Sequence, residues 1–232
     1  MLSISTRLKM IVDYIPDGEV LVDVGTDHAY LPLYAIKKKN LQKVIAGEYN
    51  KGPYLRAVAN VEQQKLADKI QVRLGNGLEV IEKNEATVLT IAGMGGNLIT
   101  EILNDGYDKL SSFKRLILQP MNGEFALRKW LQEHNYTIIA EQIIKEQDII
   151  YEIIVAEPSE TSVHLTVKQQ KFGPLLMLEK NAVFLEKWSQ ELQKRQKILS
   201  LIAEHANNQA IETKQERLNS EIQMIREVLG NA

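Results

Sequence analysis

The sequence predicts an α/β fold. A mostly parallel, doubly wound sheet closes at one edge in an antiparallel hairpin, and a coiled-coil-like helical hairpin follows it. Three observations carry this. Over the first 165 residues, short runs that are apolar almost throughout alternate with longer runs of helical period. The last two strand-like runs of that region follow one another with no helix between them. Beyond Pro158 the pattern changes to heptad-spaced apolar residues on charged helices.

The expected strands are Glu19–Val24, Lys43–Glu48, Ile70–Leu74, Val88–Ala92, Leu116–Gln119, Tyr136–Ile144 and Ile149–Ala156. The first five are apolar nearly end to end, as strands covered on both faces are. Helices are expected over Tyr30–Lys39, Gly52–Leu66, Gly96–Leu103 and Glu124–His134. Gln147-Asp148 is the expected turn of the edge hairpin. EPSETSVHL then reads as a polar linker, which divides the chain into domains 1–160 and 161–232. In the second domain, Leu178, Leu185, Trp188, Leu192, Leu199 and Ile202 form one a/d seam. Ile211, Leu218, Ile222, Ile225 and Leu229 form another, with a turn at EHANNQA. Such a pair either packs only on itself or another copy, or serves as a lever for a large substrate.

Composition narrows the class. The 232 residues are 44% hydrophobic and 25% charged, ordinary for a soluble globular protein. There is no cysteine, which excludes disulfides, thiolate metal sites and cysteine nucleophiles. His28 has no cysteine partners, and no metal cluster is expected. Acids among the first 20 residues argue against a signal peptide, and no apolar run is long enough for a membrane helix. A cytoplasmic protein without a membrane partner is therefore expected, as a monomer or, alternatively, a dimer. The net charge of −2 argues against a broad nucleic-acid-coating surface. The C-terminal part carries a slight basic excess, so an anionic partner would prefer it or its seam with the rest.

Ligands of such sheets lie at the carboxyl ends of the strands. Those ends read Asp23-Val-Gly25-Thr-Asp27, Ala46-Gly47-Glu48, Gly75-Asn76-Gly77, Ala92-Gly93-Met94-Gly95-Gly96 and Gln119-Pro120. Glu48 lies where an acid accepts from ribose hydroxyls, which suits NAD or S-adenosylmethionine equally. The first turn discriminates. A pyrophosphate needs glycine amides and no neighbouring carboxylate. Asp23 and Asp27 would repel it, yet suit the ammonium and sulfonium charges of S-adenosylmethionine. Asn76 could hydrogen-bond an adenine edge, or mark a plain turn. Asp27 could instead cap the helix starting near Ala29.

The series DVGTDHAYLP, AGE, GP, GNGLEV, IAGMGG and LILQP, with S-x-R-L at Ser5–Leu8 and the later GP…KNAVFLEKW, strongly resembles the bacterial tRNA (adenine-22-N1) methyltransferase family. The resemblance spans essentially the whole chain. It implies a class I methyltransferase Rossmann-like domain with a coiled-coil-like C-terminal domain. It also implies methyl transfer from S-adenosyl-L-methionine to N1 of an adenine in tRNA, so tRNA is the implied partner. Asp23, Gly25, Glu48, Asn76 and Gly77 are then similar to cofactor-binding positions. Thr26, Tyr49, Ala92 and Gly93 adjoin them and complete the expected set. Where relatives often carry Asp, this chain has Asn76.

Asp27 looks like the family's candidate catalytic carboxylate. It would hold the adenine N6 amino group, stabilise charge developing on the ring, or remove the N6 proton. A base in folded tRNA must leave its stack to be reached. His28, Tyr30 and Met94 are the flat or soft groups expected against it, with Gln119 and Pro120 lining the wall. Arg7 is a candidate for a tRNA phosphate or the cofactor carboxylate. Lys187, Lys194 and Arg195, with Lys168, Lys171, Lys180 and Lys197, are candidate contacts to the tRNA backbone. The competing readings are a class I methyltransferase for another RNA site or a small molecule, and a non-catalytic binding module. An NAD-dependent reductase is disfavoured by the acids of the first turn.

Overall fold

The computed structural model describes residues 4–203 and 209–230. Among these residues, β1 (Val20–Val24), β2 (Lys43–Glu48), β3 (Ile70–Leu74), β4 (Val88–Met94), β5 (Arg115–Pro120), β6 (Tyr136–Glu146) and β7 (Ile149–Pro158) form a seven-stranded sheet. Its order is β3-β2-β1-β4-β5-β7-β6. The first five strands run parallel; β7 is antiparallel to both β5 and β6. The order reverses between β1 and β4, the switch point where open α/β sheets leave a crevice for ligands. This is the α/β architecture the alternation predicts. Leu21 to Val24 of β1 and Val44 to Glu48 of β2 are all buried, which explains their near-continuous apolar runs. Gln147 and Asp148 both take positive φ, 50° and 63°, the backbone a two-residue hairpin turn requires.

The connections are α1 (Thr6–Asp13), α2 (Tyr30–Lys38), α3 (Lys51–Gln63), α4 (Gly96–Asp105) and α5 (Glu124–Glu133). Their ends fall close to the expected ones. The exception is α1, which was not expected at all. It is only eight residues long, and it holds through its ends: Ser5 Oγ accepts from the Leu8 amide at 3.2 Å, and Glu146 Oε1 accepts from the Thr6 amide at 2.6 Å. Ile11 and Val12 bury its inner face.

The edge hairpin is pinned to α5 by a buried ion cluster. Arg128 has no exposed surface. Its Nε donates to Glu141 Oε1 at 2.7 Å and its Nη2 to Glu152 Oε2 at 2.5 Å. The two carboxylates hold the guanidinium charged despite its burial, raising it above its ordinary value.

The chain divides into two compact units, Met1–Lys171 and Phe172–Ala232. The boundary falls later than the linker composition suggests. Gln132 Oε1 accepts from the Leu165 amide (2.7 Å) and from Gln170 Nε2 (3.1 Å), so the segment before Lys171 is tied to α5 of the first unit. After α6 (Val167–Phe172), the second unit holds α7 (Leu176–Glu179), α8 (Ala182–Ala203) and α9 (Gln209–Leu229). Phe172 packs edge-on against Trp188, with Phe184 beside it. Ile222, Ile225 and Val228 of α9 are buried. Arg195 of α8 donates to Glu221 of α9 at 2.7 Å, so these two helices pack on each other. Leu178 departs from its expected seam position: it lies in α7 and is 81% exposed. Lys180, at φ 46°, ends α7, and Asn181 Oδ1 then accepts from the Phe184 amide at 3.0 Å, starting a new helix. The turn expected at residues 204–210 lies outside the described residues except where α9 begins. Among the described residues, no helix is long and apolar enough to cross a membrane.

The Arg128 cluster gives a stability prediction. Arg128→Met strands two buried carboxylates and should cost about 3–5 kcal/mol, read as a drop in urea midpoint. A loss under about 1 kcal/mol would mean the cluster does not hold the hairpin.

Candidate functional site

The switch point opens into a cavity of about 700 Å³, within the range of small-molecule sites. Its floor is the end of β1. Parallel pairing sets Asp23 opposite Ala46 of β2 on one side and Thr90 of β4 on the other. Asp23 is 3% exposed, and Oδ1 accepts the Thr90 hydroxyl at 2.7 Å. Burial pushes its carboxyl up to about 6; the Thr90 hydroxyl opposes the shift and the Glu48 charge adds to it.

The β1–α2 turn is built on the end of β2. The Gly47 carbonyl accepts from both the Gly25 and Thr26 amides, at 2.9 and 3.0 Å. Gly25 takes φ 75°, a backbone that favours glycine, and the tip of Met94 packs where a Cβ would stand. Glu48, 6% exposed, accepts from the Asp27 amide through Oε2 (3.0 Å) and from the Asn50 amide through Oε1 (2.8 Å). Asp27 is thereby held at φ 54° with its side chain two-thirds exposed, and it lines the cavity. It does not cap α2. The N-cap position is Ala29, at φ 59°, with no side-chain cap. The helix start is set by backbone: the Ala29 amide donates to Thr26 O at 2.9 Å.

One end of the cavity is formed by the Gly75–Gly77 turn. The Gly75 amide donates to Glu48 O (3.0 Å), and Gly77 takes φ 52°. Asn76 is exposed, its amide donating to Glu79 Oε2 at 3.2 Å. Lys109, not singled out from sequence, locks the single 3-10 turn that follows (Gly77–Val80): its Nζ donates to the carbonyls of Leu78 (3.0 Å) and Ile81 (2.9 Å). Leu98 and Ile102, four apart on α4, also line the cavity; their helical spacing after GMGG is the signal that could have found them. Asn50 and Pro53, at the start of α3, line it too.

On the β4 side, Ala92, Gly93 and Met94 line the cavity across a bulge, with Gly93 at φ 79°. Arg7 reaches it from α1, its guanidinium 5.1 Å from the Tyr151 ring centroid. Burial pulls Arg7 below its ordinary value, opposed by Tyr151 and Glu146. Tyr49, 68% exposed, and Tyr30, 41%, stand at the mouth.

Two expected wall residues, Gln119 and Pro120, and one expected flat group, His28, are not among the residues that line it. Gln119 is fully buried behind the wall: Oε1 accepts from Arg7 and from the Gly93 amide (3.1 Å), and Nε2 donates to Pro120 O (2.8 Å). Pro120, also buried, continues β5 opposite Met94. His28 points its ring at Arg56 and Tyr30 rather than into the cavity.

In the second unit, Arg195 is bound by Glu191 and Glu221, which assigns it to helix pairing rather than to a free phosphate contact. Lys194 Nζ lies 3.8 Å from Glu191, and Lys187 Nζ lies 5.5 Å from the Trp188 ring centroid.

The acceptor set narrows the ligand class. Two buried carboxylates and a third exposed one accept hydroxyls and cationic groups. The positive φ at Gly25 and Gly77 is a backbone that favours glycine and leaves both turns without a side chain. Such a site fits a cationic nucleoside better than a pyrophosphate.

Comparison with known proteins agrees. A family model described as tRNA (adenine(22)-N(1))-methyltransferase matches residues 21–227. The curated tRNA (adenine(22)-N(1))-methyltransferase of Bacillus subtilis is 43% identical over 99% of this chain and 98% of its own. The crystal structure of Streptococcus pneumoniae Sp1610 in complex with S-adenosyl-L-methionine superposes with TM-score 0.89 at 42% identity, covering 98% of this chain and 100% of that one. The structure of M. capricolum TrmK in complex with S-adenosyl-homocysteine superposes with TM-score 0.87 at 30% identity, covering 98% of each. This chain, with its carboxylate-lined cavity at the switch point, belongs to the tRNA (adenine(22)-N(1))-methyltransferase family.

Proposed function

We propose that this protein transfers a methyl group from S-adenosylmethionine to N1 of adenine 22 in tRNA. One observation carries the reading: Asp27, in a chain of this family, presents an exposed carboxylate to a cavity whose buried acids suit that cofactor. When bound, S-adenosylmethionine supplies a methyl group on a positively charged sulfur. Glu48, with lone pairs left beside its two amide bonds, would hold the ribose hydroxyls, and Asp23 the cationic amino-acid end. Asn76 and the Gly77 turn would receive the adenine of the cofactor. Thr26, Tyr49, Ala92 and Gly93 would close around it.

Asp27 would accept from N6 of the substrate adenine. That bond sets the ring plane, so that the N1 lone pair faces the reacting carbon. The same fixed charge stabilises the positive charge arriving on the ring, and the carboxylate can take the N6 proton. Tyr30 and Met94 would flank the flipped base. We further infer that Lys187 and Lys194 contact the tRNA backbone, and that the enzyme works in the cytoplasm, as a monomer or, alternatively, a dimer.

The defining test is a methyl-transfer assay with two transcripts, one carrying adenine and one guanine at position 22. 1-Methyladenosine should form only in the first; equal labelling of both would overturn the assigned site. Asp27→Asn should lower kcat by about 10²-fold while changing KM for the cofactor little, and full turnover would remove Asp27 from the chemistry.

Asp23 gives a pH prediction. Its folded carboxyl titrates near 6 against an ordinary 3.8, so the unliganded fold loses stability from this group as pH rises across that window. A bound cation favours the carboxylate. Cofactor affinity should therefore strengthen as pH rises through about 6, with proton release in calorimetry below that pH, and Asp23→Asn should flatten the dependence. Replacing Lys187 and Lys194 by alanine should raise KM for tRNA with kcat kept. It should also make the salt dependence of tRNA binding shallower by about 2 in log–log slope. An unchanged slope would place the tRNA elsewhere.

A further inference from the structure

We propose that Arg56, acting through His28, keeps the Asp27 carboxylate available to the substrate adenine; this rests on the catalytic reading of Asp27. Arg56 and Asn60 are four residues apart on α3 and so share a face. Both reach His28. Asn60 Nδ2 donates to the His28 carbonyl at 3.0 Å, fixing the backbone. Arg56 Nη1 lies 3.3 Å from His28 Nε2. The same Nε2 lies 3.5 Å from Asp27 Oδ1. One imidazole nitrogen therefore stands between a guanidinium and the carboxylate of interest.

A guanidinium only donates hydrogen bonds. Its contact with Nε2 requires a lone pair there, hence a neutral ring carrying its proton on Nδ1. In that state His28 has no donor to offer Asp27 at Nε2. A protonated ring does the reverse. Its Nε2–H repels Arg56 and donates to Asp27, tying up the acceptor that the adenine N6 amino group needs. Arg56 thus favours the state in which Asp27 is open. The groups facing His28 are Asp27 on its own turn, the Tyr30 ring from α2 (centroids 5.5 Å apart), and Arg56 with Asn60 from α3. Glu48 of β2 reaches the turn through the Asp27 amide. The His28 side chain is a quarter exposed, so it can exchange protons with solvent. Arg56 is a positioning residue in this scheme.

The test is the pH profile of kcat/KM for wild type, Arg56→Gln, Arg56→Lys, and Arg56→Gln in a His28→Phe background. Arg56→Gln should move the acidic limb upward by about one pH unit, a loss of about tenfold on its steep part that narrows as pH rises. Arg56→Lys should retain most of the wild-type profile. In the His28→Phe background Arg56→Gln should move the limb no further. A uniform loss at every pH would overturn the proposal and leave Arg56 as a phosphate contact. So would an equal shift without His28. Nitrogen-15 NMR of His28 in the wild-type protein reads the state directly: the neutral ring should carry its proton on Nδ1, and an Nε2–H ring overturns the scheme. If Asp27→Asn is inactive and Arg56→Gln shows no pH shift, only this inference falls. If Asp27→Asn turns over fully, the catalytic reading falls with it.

Discussion

The carboxylate of Glu48 is the constraint on which the site depends. It is buried at the end of β2, and each of its oxygens accepts a backbone amide from a different turn. One belongs to the β1–α2 turn at Asp27, the other to the β2–α3 turn at Asn50. The preceding residue, Gly47, takes two more amides from the same β1–α2 turn on one carbonyl. The last two residues of β2 therefore template the backbone of the β1–α2 turn. Asp27 takes φ 54°, a left-handed backbone uncommon outside glycine though better tolerated by Asp than by most residues. The Glu48 bond fixes that conformation, and the side chain is thereby freed from helix capping. A strained backbone at a functional position, held by its surroundings, is what this arrangement amounts to.

The same logic explains why acids crowd the strand ends. Asp23 is buried beside threonine hydroxyls and another carboxylate, at a local cost visible in its raised titration. A fold built for stability alone would have no use for that. The cost is offset elsewhere by the both-face burial of the parallel strands and by the Arg128 cluster that fastens the edge hairpin. Arg7 links the two regions. Its helix is anchored by Glu146 at the hairpin end, and its guanidinium meets Gln119 of β5, whose amide also holds Gly93 of β4. Gln119 thus shapes the wall from behind rather than lining it.

Much of this was legible in the sequence, for reasons that differ by element. Parallel strands announce themselves because burial on both faces leaves no polar alternation. The cavity-lining turns were legible because Gly25, Asp23, Glu48 and Gly77 sit at strand ends, where topology, not local propensity, brings them to one crevice. What escaped depends on long-range contacts. The helix α1 is short, and Glu146, far along the chain, completes its anchoring. Lys109 holds the Asn76 turn from 28 to 31 residues away. The Arg56–His28 contact joins α3 to the β1–α2 turn. The Leu178 error was local: the heptad spacing ran through Lys180-Asn181, whose left-handed backbone and cap restart the helix. The resemblance supplied the substrate, which no strand-end chemistry alone would name.

The central claim is that Glu48 acts on the reaction through the backbone of Asp27 as well as through the ribose. The most direct measurement is a double-mutant cycle on the single-turnover rate at saturating cofactor, with Glu48→Gln, Asp27→Asn and both together. Saturation removes the binding contribution. The account predicts that Glu48→Gln slows the step alone, yet adds almost nothing once Asp27 is asparagine. Losses that multiply would show that Glu48 and Asp27 act independently, and the turn would then be held by something other than this carboxylate.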